Sequence, residues 1–149
     1  MLFRSVNDIV RPGRHDDIVA VAELEQRARE HLVDQRGGPA LLNEVSAVSE
    51  WATVVDAGLL WVAEIDGVVL GFLQLEVHGP VAAVRQVYVD PGARELGFGD
   101  EMLAAAMTEA SRRGCHTIEG VALPGDRDTK NLYERAGITA RKIVVSKRL

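Results

Sequence analysis

The chain switches between two hydrophobic periods, and the order of those switches limits the folds open to it. In the first third, apolar residues recur at helical spacing. Val21, Leu24, Ala28 and Leu32 mark one face of a helix through about residue 32. From Leu59 the period is 2. Leu59–Ile65 and Val68–Val77 are β-rich runs joined by Asp66-Gly67, a dipeptide that accepts the positive φ angles of a type I′ turn, so the two runs form a hairpin. Gly79-Pro80 marks the next turn, and Ala82–Val89 reads as a third strand of the same sheet. Helical spacing returns at Asp100–Arg113, with Leu103, Ala106, Met107 and Ala110 on one face and Gly114 as its stop.

The remaining elements are shorter. Phe3–Val6 reads as a first strand broken by Pro12-Gly13, and Ser49–Asp56 as a second helix ending at Gly58. Asp34–Val48, with Arg36-Gly37-Gly38-Pro39, has no pattern and reads as a loop. His116–Leu123 is a strand cut by Pro124-Gly125. Asp126 or Asp128 caps a short helix through Ala136, with Gly137 as terminator, and Arg141–Lys147 alternates as a closing strand. The expected fold is therefore a mixed α/β (α+β) domain, spanning 1–149. It has a mostly antiparallel twisted sheet of about six strands, about four helices, and a strand–loop–helix unit in its second half.

Composition narrows the function. The 149 residues carry 17 basic and 22 acidic side chains, a net charge of −5. The basic residues are scattered, which argues against nucleic acid as a partner. No apolar run approaches the roughly 18–20 residues needed to span a bilayer, so no membrane partner is expected. Met1–Asn7 lacks the basic segment and apolar core of a secretory signal. The single cysteine, Cys115, forms neither an internal disulfide nor a cysteine-based metal cluster, and no metal is expected. The expectation is a protein of the reducing cytoplasm.

The chemistry concentrates in Val87-Tyr88-Val89-Asp90-Pro91-Gly92-Ala93-Arg94-Glu95-Leu96-Gly97-Phe98-Gly99-Asp100. A strand ends, a loop passes through Arg94-x-x-Gly97-x-Gly99, and a helix begins at once. The first N–H groups of a helix lack internal acceptors and carry partial positive charge, so the segment is an anion cradle. Glycines at 97 and 99 let backbone donors approach phosphate oxygens, and Arg94 either adds a charge-assisted contact or holds the loop. The spacing fits neither the G-x-G-x-x-G dinucleotide fingerprint nor the P-loop. A plain strand–helix turn is the other reading of the glycines.

Strand 82–89, this loop and helix 100–113 resemble the coenzyme A-binding core of the GCN5-related N-acetyltransferases (GNAT). Asn131-Leu132-Tyr133-Glu134-Arg135-Ala136-Gly137 is similar to the late Tyr-x-x-x-Gly helix of that family. The resemblance implies acetyl-CoA as co-substrate and direct attack of an amine on its thioester. It implies that Arg94, Glu95, Leu96, Gly97, Phe98, Gly99 and Asp100 hold the pyrophosphate. Val87, Tyr88 and Val89 would offer backbone groups to the pantetheine arm, where that strand splays from the next. Tyr133 takes the position that protonates the departing thiolate, with packing against the coenzyme arm as the alternative.

A base is harder to place. Strand 82–89 has no Asp or Glu, which leaves Glu119 as the tentative base and Glu76 as a second candidate. His78 and His116 titrate in a useful range but have no partner in sequence. Asp126 stands where relatives show Asn, and Asp100 adds a carboxylate at the cradle. Cys115, Trp51 and Trp61 read as packing residues. The expected partner is an amine acceptor of unread identity, with a homodimer as one assembly. Two other readings stay open: a non-catalytic acyl-CoA-binding or sensing module, and an interaction domain on the same fold.

Overall fold

The computed structural model describes residues 4–149. Its order is β1 (Ile9–Pro12), a 3₁₀ turn (His15–Asp17), α1 (Ile18–Leu32), α2 (Gly38–Glu44), α3 (Trp51–Asp56), β2 (Leu60–Ile65), β3 (Val68–His78) and β4 (Val81–Val89). A second 3₁₀ segment (Pro91–Leu96), α4 (Phe98–Arg112), β5 (Thr117–Gly120) and α5 (Arg127–Arg135) complete it. The strands form one sheet in the order β1-β2-β3-β4-β5. The first three pairings are antiparallel and β4 with β5 is parallel, the crossover that α4 supplies.

The sheet is buried on both faces. Leu60, Val62 and Phe72 pack with Val21 and Leu24 of α1 and Trp51 of α3. On the other face Trp61, Ala63, Leu73 and Leu75 pack with Phe98, Met102, Leu103 and Ala106 of α4 and with Leu132 and Tyr133 of α5. Alternate residues of β2 and β3 thus serve two cores, which is why these runs are continuously apolar. Each fully buried side chain of the size of Phe72 or Phe98 contributes roughly 1.5–3 kcal/mol. Both tryptophans are buried, as expected of packing residues.

Four expectations need correction. The first strand is at Ile9–Pro12 and not at Phe3–Val6; Phe3 lies outside the described residues. Ser5–Asp8 instead make a turn, in which the Asp8 carboxylate accepts from the Ser5 N–H (2.9 Å) and the Asp8 N–H donates to the Ser5 carbonyl (3.1 Å). Short polar side chains compete with strand pairing in this way. Second, Asp34–Val48 is not all loop, because Pro39 sits in the first turn of α2, where its missing N–H costs nothing. Third, β5 stops at Gly120, short of Leu123. Fourth, residues 138–149 form neither strand nor helix, and Ile143, Val144 and Val145 are 81–87% exposed. Alternation specifies faces, but a strand also needs an edge to pair with. The sheet therefore has five strands, with five α-helices around it.

A buried ionic cluster ties the edge strand to the fold. Arg11 on β1 donates to both carboxylate oxygens of Asp17 (2.8 and 2.9 Å) and to Glu64 of β2 (2.9 Å). The Arg11 hydrogen bonds hold the Asp17 carboxyl below the usual range, against a smaller opposing effect of burial. A carboxylate depressed in the folded state contributes stability above its unfolded pKa and loses it as pH falls through the folded value. Arg11→Met should therefore cost about 3 kcal/mol at pH 7, because it strands the buried Asp17 carboxylate and the half-buried Glu64 carboxylate. The deficit relative to wild type should shrink as pH drops from about 5 toward 3. Urea melts of both proteins across that range check this, and a pH-independent deficit would dismiss the cluster as its source.

Candidate active site

The site begins where the parallel pairing of the sheet ends. β4 pairs with β5 only from Val81↔Thr117 to Val84↔Gly120. Beyond that point residues 85–89 face no strand on the β5 side, and the two strands part into a cleft of about 1240 Å³. Val87, Tyr88 and Val89 line it. The phenol oxygen of Tyr88 is buried with no hydrogen-bond partner among the described residues.

β4 also carries a bulge. Gln74 stands opposite Gln86 and Leu75 opposite Val84, which makes Arg85 the extra residue. A single extra residue reverses which parity faces which side. Ala82 and Val84 accordingly face α4, whereas Tyr88, of the same parity, packs in the α1 core. Gln86 turns toward α1 as well, and its amide donates to the buried Glu25 carboxylate (2.5 Å) and to the Gln74 side chain (3.0 Å).

After Val89 the chain enters the cradle. Asp90 accepts from the Gly92 N–H (3.0 Å), the 3₁₀ segment follows, and Gly97 sits at φ +82°, a conformation side chains resist. α4 starts at Phe98, two residues earlier than its spacing indicates, because the buried Phe98 ring anchors it in the core. No side chain caps this helix, which leaves its first N–H groups at the cleft. Arg94 closes the loop: its Nε donates to the Val89 carbonyl (2.8 Å), and its guanidinium lies 5.5 Å from the Tyr88 ring centroid. Asp100 is engaged by Arg135 of α5 (2.9 and 3.3 Å), so its charge is matched within the protein. Arg94, Glu95, Gly97, Gly99 and Asp100 line the cleft, while Leu96 and Phe98 are not among its lining residues.

Tyr133 reaches the fork from α5. A Cβ built on Gly120 would collide with its hydroxyl, so the phenol end lies over the last residue of β5. Burial, and secondarily the negative charge of Asp126, pushes the phenol up to about 12. Asp126 itself caps α5, accepting from the Thr129 N–H (3.0 Å) and hydroxyl (2.6 Å).

The carboxylates separate clearly. Glu119 is exposed on β5, opposite Ala83, and is not among the residues lining the cleft. Glu76 is among them, with its oxygens on Arg85 (2.8 Å) and on the His78 ring (3.0 Å). Burial pushes its carboxyl up, but the bonds from His78 and Arg85 together outweigh that and leave it below the usual range. His116 and Cys115 lie away from the cleft, and no group of three or more potential metal ligands occurs among the described residues.

The far wall was not legible from pattern alone. It is built by Ala28, Arg29, Leu32, Leu41 and Val45, opposite the β4 bulge. Three side chains fasten its loop: Arg29 to the Val45 carbonyl (2.7 Å), Arg85 to the Ser46 carbonyl (3.2 Å), and Glu25 to the Val48 N–H (3.1 and 3.2 Å). The adjacent polar pair Arg85-Gln86, interrupting an apolar strand, was the available signal.

Comparison with known proteins agrees with this geometry. The model of the acetyltransferase (GNAT) family matches residues 19–138. A mycothiol acetyltransferase from Beutenbergia cavernae is 32% identical over 105 residues; the match covers 67% of this chain and 35% of that protein. The matching region thus spans about a third of that relative's length. Among solved structures, the aminoglycoside N-acetyltransferase AAC(6′)-Iy in complex with CoA aligns with a TM-score of 0.72 at 16% identity, covering 95% of this chain and 98% of that one. A predicted acetyltransferase from Clostridium acetobutylicum with acetyl-CoA aligns at 0.66 and 17% identity, covering 95% and 96%. With its parted strands, its glycine-turned helix start and a family match across four-fifths of its length, the chain belongs to the GNAT acetyltransferases.

Proposed function

We propose that the protein transfers an acetyl group from acetyl-CoA to an amine by direct attack on the thioester, acting as a single domain in the reducing cytoplasm. The observation that carries this reading is the parting of β4 from β5 beside an uncapped helix start, with the Tyr133 hydroxyl at the fork. The residues present fit the coenzyme. β4 offers unpaired backbone groups on one side of the cleft, and α4 presents N–H donors to phosphate on the other. The exposed Ile143–Val145 run favours a second copy of the chain as an added partner.

Acetyl-CoA held in this cleft would supply the electrophilic thioester carbonyl. The amine nitrogen bonds to that carbon as the carbon–sulfur bond breaks. We assign the nitrogen's proton to Glu76, because it alone of the two strand carboxylates lines the cleft. Tyr133 donates to the departing sulfur. With its phenol near 12, it stays protonated at every physiological pH, which is the species a donor needs. Transfer to a free thiolate of pKa about 8.5 would run uphill, so the hydrogen bond acts while the sulfur is leaving.

Three outcomes test the reading. Gly99→Glu should weaken acetyl-CoA binding at least 10-fold in calorimetry. A Cβ there meets Leu132 at an ordinary 3.5 Å, so the loss would reflect the added carboxylate at the cradle. Unchanged affinity would move the coenzyme elsewhere. Tyr133→Phe should lower kcat about 10- to 1000-fold while sparing coenzyme affinity. In wild type the kcat profile should show no alkaline fall from Tyr133 below about pH 11, because the raised pKa keeps the proton on. Glu76→Gln should reduce kcat/KM for the amine by about 100-fold or more. Full activity in that variant would return the base role to Glu119 or to water.

A further inference from the structure

The acceptor end of the cleft is built for a particular kind of amine. Its wall joins an apolar set, Ala28, Leu32, Leu41 and Val45, to two guanidinium groups, Arg29 and Arg85, and one carboxylate, Glu76. His31 is the remaining titratable side chain contributed by α1. Both arginines are only part-exposed, and each is fixed by a bond to the 45–48 loop. Arg85 spends its terminal nitrogens on Glu76 and Ser46, whereas Arg29, which also lines the cleft, makes one side-chain hydrogen bond, from one terminal nitrogen to the Val45 carbonyl.

The other charges of the cleft come from the loop before α4, from α4 itself and from α5 with its cap. Glu95 and Asp100 stand with Arg94 and Arg135, and Asp126 and Asp128 flank Arg127 at the start of α5. Asp100 is occupied by Arg135, and Asp126 by its cap on Thr129. The cleft as a whole has five guanidinium groups and five carboxylates, although the chain carries five more acidic than basic residues. An acceptor with several ammonium groups would need a surplus of carboxylates, and Glu76 alone stands among two cations. A planar, pre-held guanidinium beside an apolar wall suits a carboxylate attached to an apolar body.

Building on the acetyltransferase reading above, we propose that the acceptor is an amine bearing its own carboxylate on an apolar body, an α-amino acid in chemical class, with Arg29 as the carboxylate's partner and Glu76 as the amine's. The neutral amine nitrogen bonds to the acetyl carbon as the carbon–sulfur bond breaks, the nitrogen's proton passes to Glu76, the leaving sulfur takes a proton from Tyr133, and Glu76 releases its proton to solvent as Tyr133 regains one. The products are an N-acetyl amino acid and the free thiol of coenzyme A.

The test uses matched acceptors with the full-length protein at saturating acetyl-CoA: leucine, leucinamide and an aminoglycoside, followed by thiol release. The expected result is kcat/KM for leucine at least 10-fold above leucinamide, with the aminoglycoside lowest. Arg29→Gln should bring the leucine-to-leucinamide ratio to about 1, Arg29→Lys should restore part of it, and acetyl-CoA affinity should stay within about twofold. Preference for leucinamide or the aminoglycoside overturns this proposal, as does a ratio unchanged by Arg29→Gln, or no thiol release with any of the three despite coenzyme binding. Failure to bind acetyl-CoA at all is a separate result, and it removes the acetyltransferase reading together with this one.

Discussion

The separation of β4 from β5 after four paired residues is the constraint on which the rest of the site depends. Strand pairing normally leaves no backbone group unmatched inside a sheet, so a ladder that stops midway must hand its donors and acceptors to something else. Here it stops at Val84 and Gly120, and Tyr133 occupies the fork that opens. α4 bridges the two strands from below, and its tightly packed face of Met102, Leu103 and Ala106 fixes their distance at the closed end. Opening is therefore the consequence of a well-packed crossover on one side and a short β5 on the other.

The bulge at Arg85 performs a second task in the same strand. By reversing parity it commits Gln86 and Tyr88 to the α1 side, so one strand serves the α4 core in its first half and the α1 core in its second. Glu25 follows from this. A buried carboxylate is expensive unless bonded, and it is bonded to Gln86 and to the Val48 amide. That pair of bonds couples the position of the 45–48 loop, part of the far wall of the cleft, to the position of β4. A shift in either would leave a buried charge unmatched, which makes the wall stiff where it is needed.

The parts of this architecture governed by local rules could be read from the residues. Asp66-Gly67 specified the hairpin, Gly114 and Gly137 ended their helices, and the Arg94-x-x-Gly97-x-Gly99 loop marked the helix start at the cleft. Tyr133 was placed by its resemblance alone, and it lies at the fork. What escaped was decided at long range. β1 is fixed by Arg11 reaching Asp17 and Glu64, not by the alternation of Phe3–Val6. α2 depends on a proline whose pattern also fits a loop. The bulge has only a faint trace in Arg85-Gln86, and the exclusion of Glu119 from the cleft follows from which face of a short edge strand it occupies. A period can assign a residue to a face, but it cannot say what stands opposite that face.

The exposed run Ile143-Val144-Val145 bears on the behaviour of the protein in concentrated solution. Three β-branched residues in water are a template for intermolecular strand pairing, and the short β5 is a strand that could accept one. Four cations, Arg141, Lys142, Lys147 and Arg148, flank that run and make like segments repel each other. They act as gatekeepers against stacking of the tails. Because the shield is electrostatic, it weakens as ionic strength rises and the Debye length contracts, so high-salt buffers are the conditions under which this chain should be most prone to aggregate.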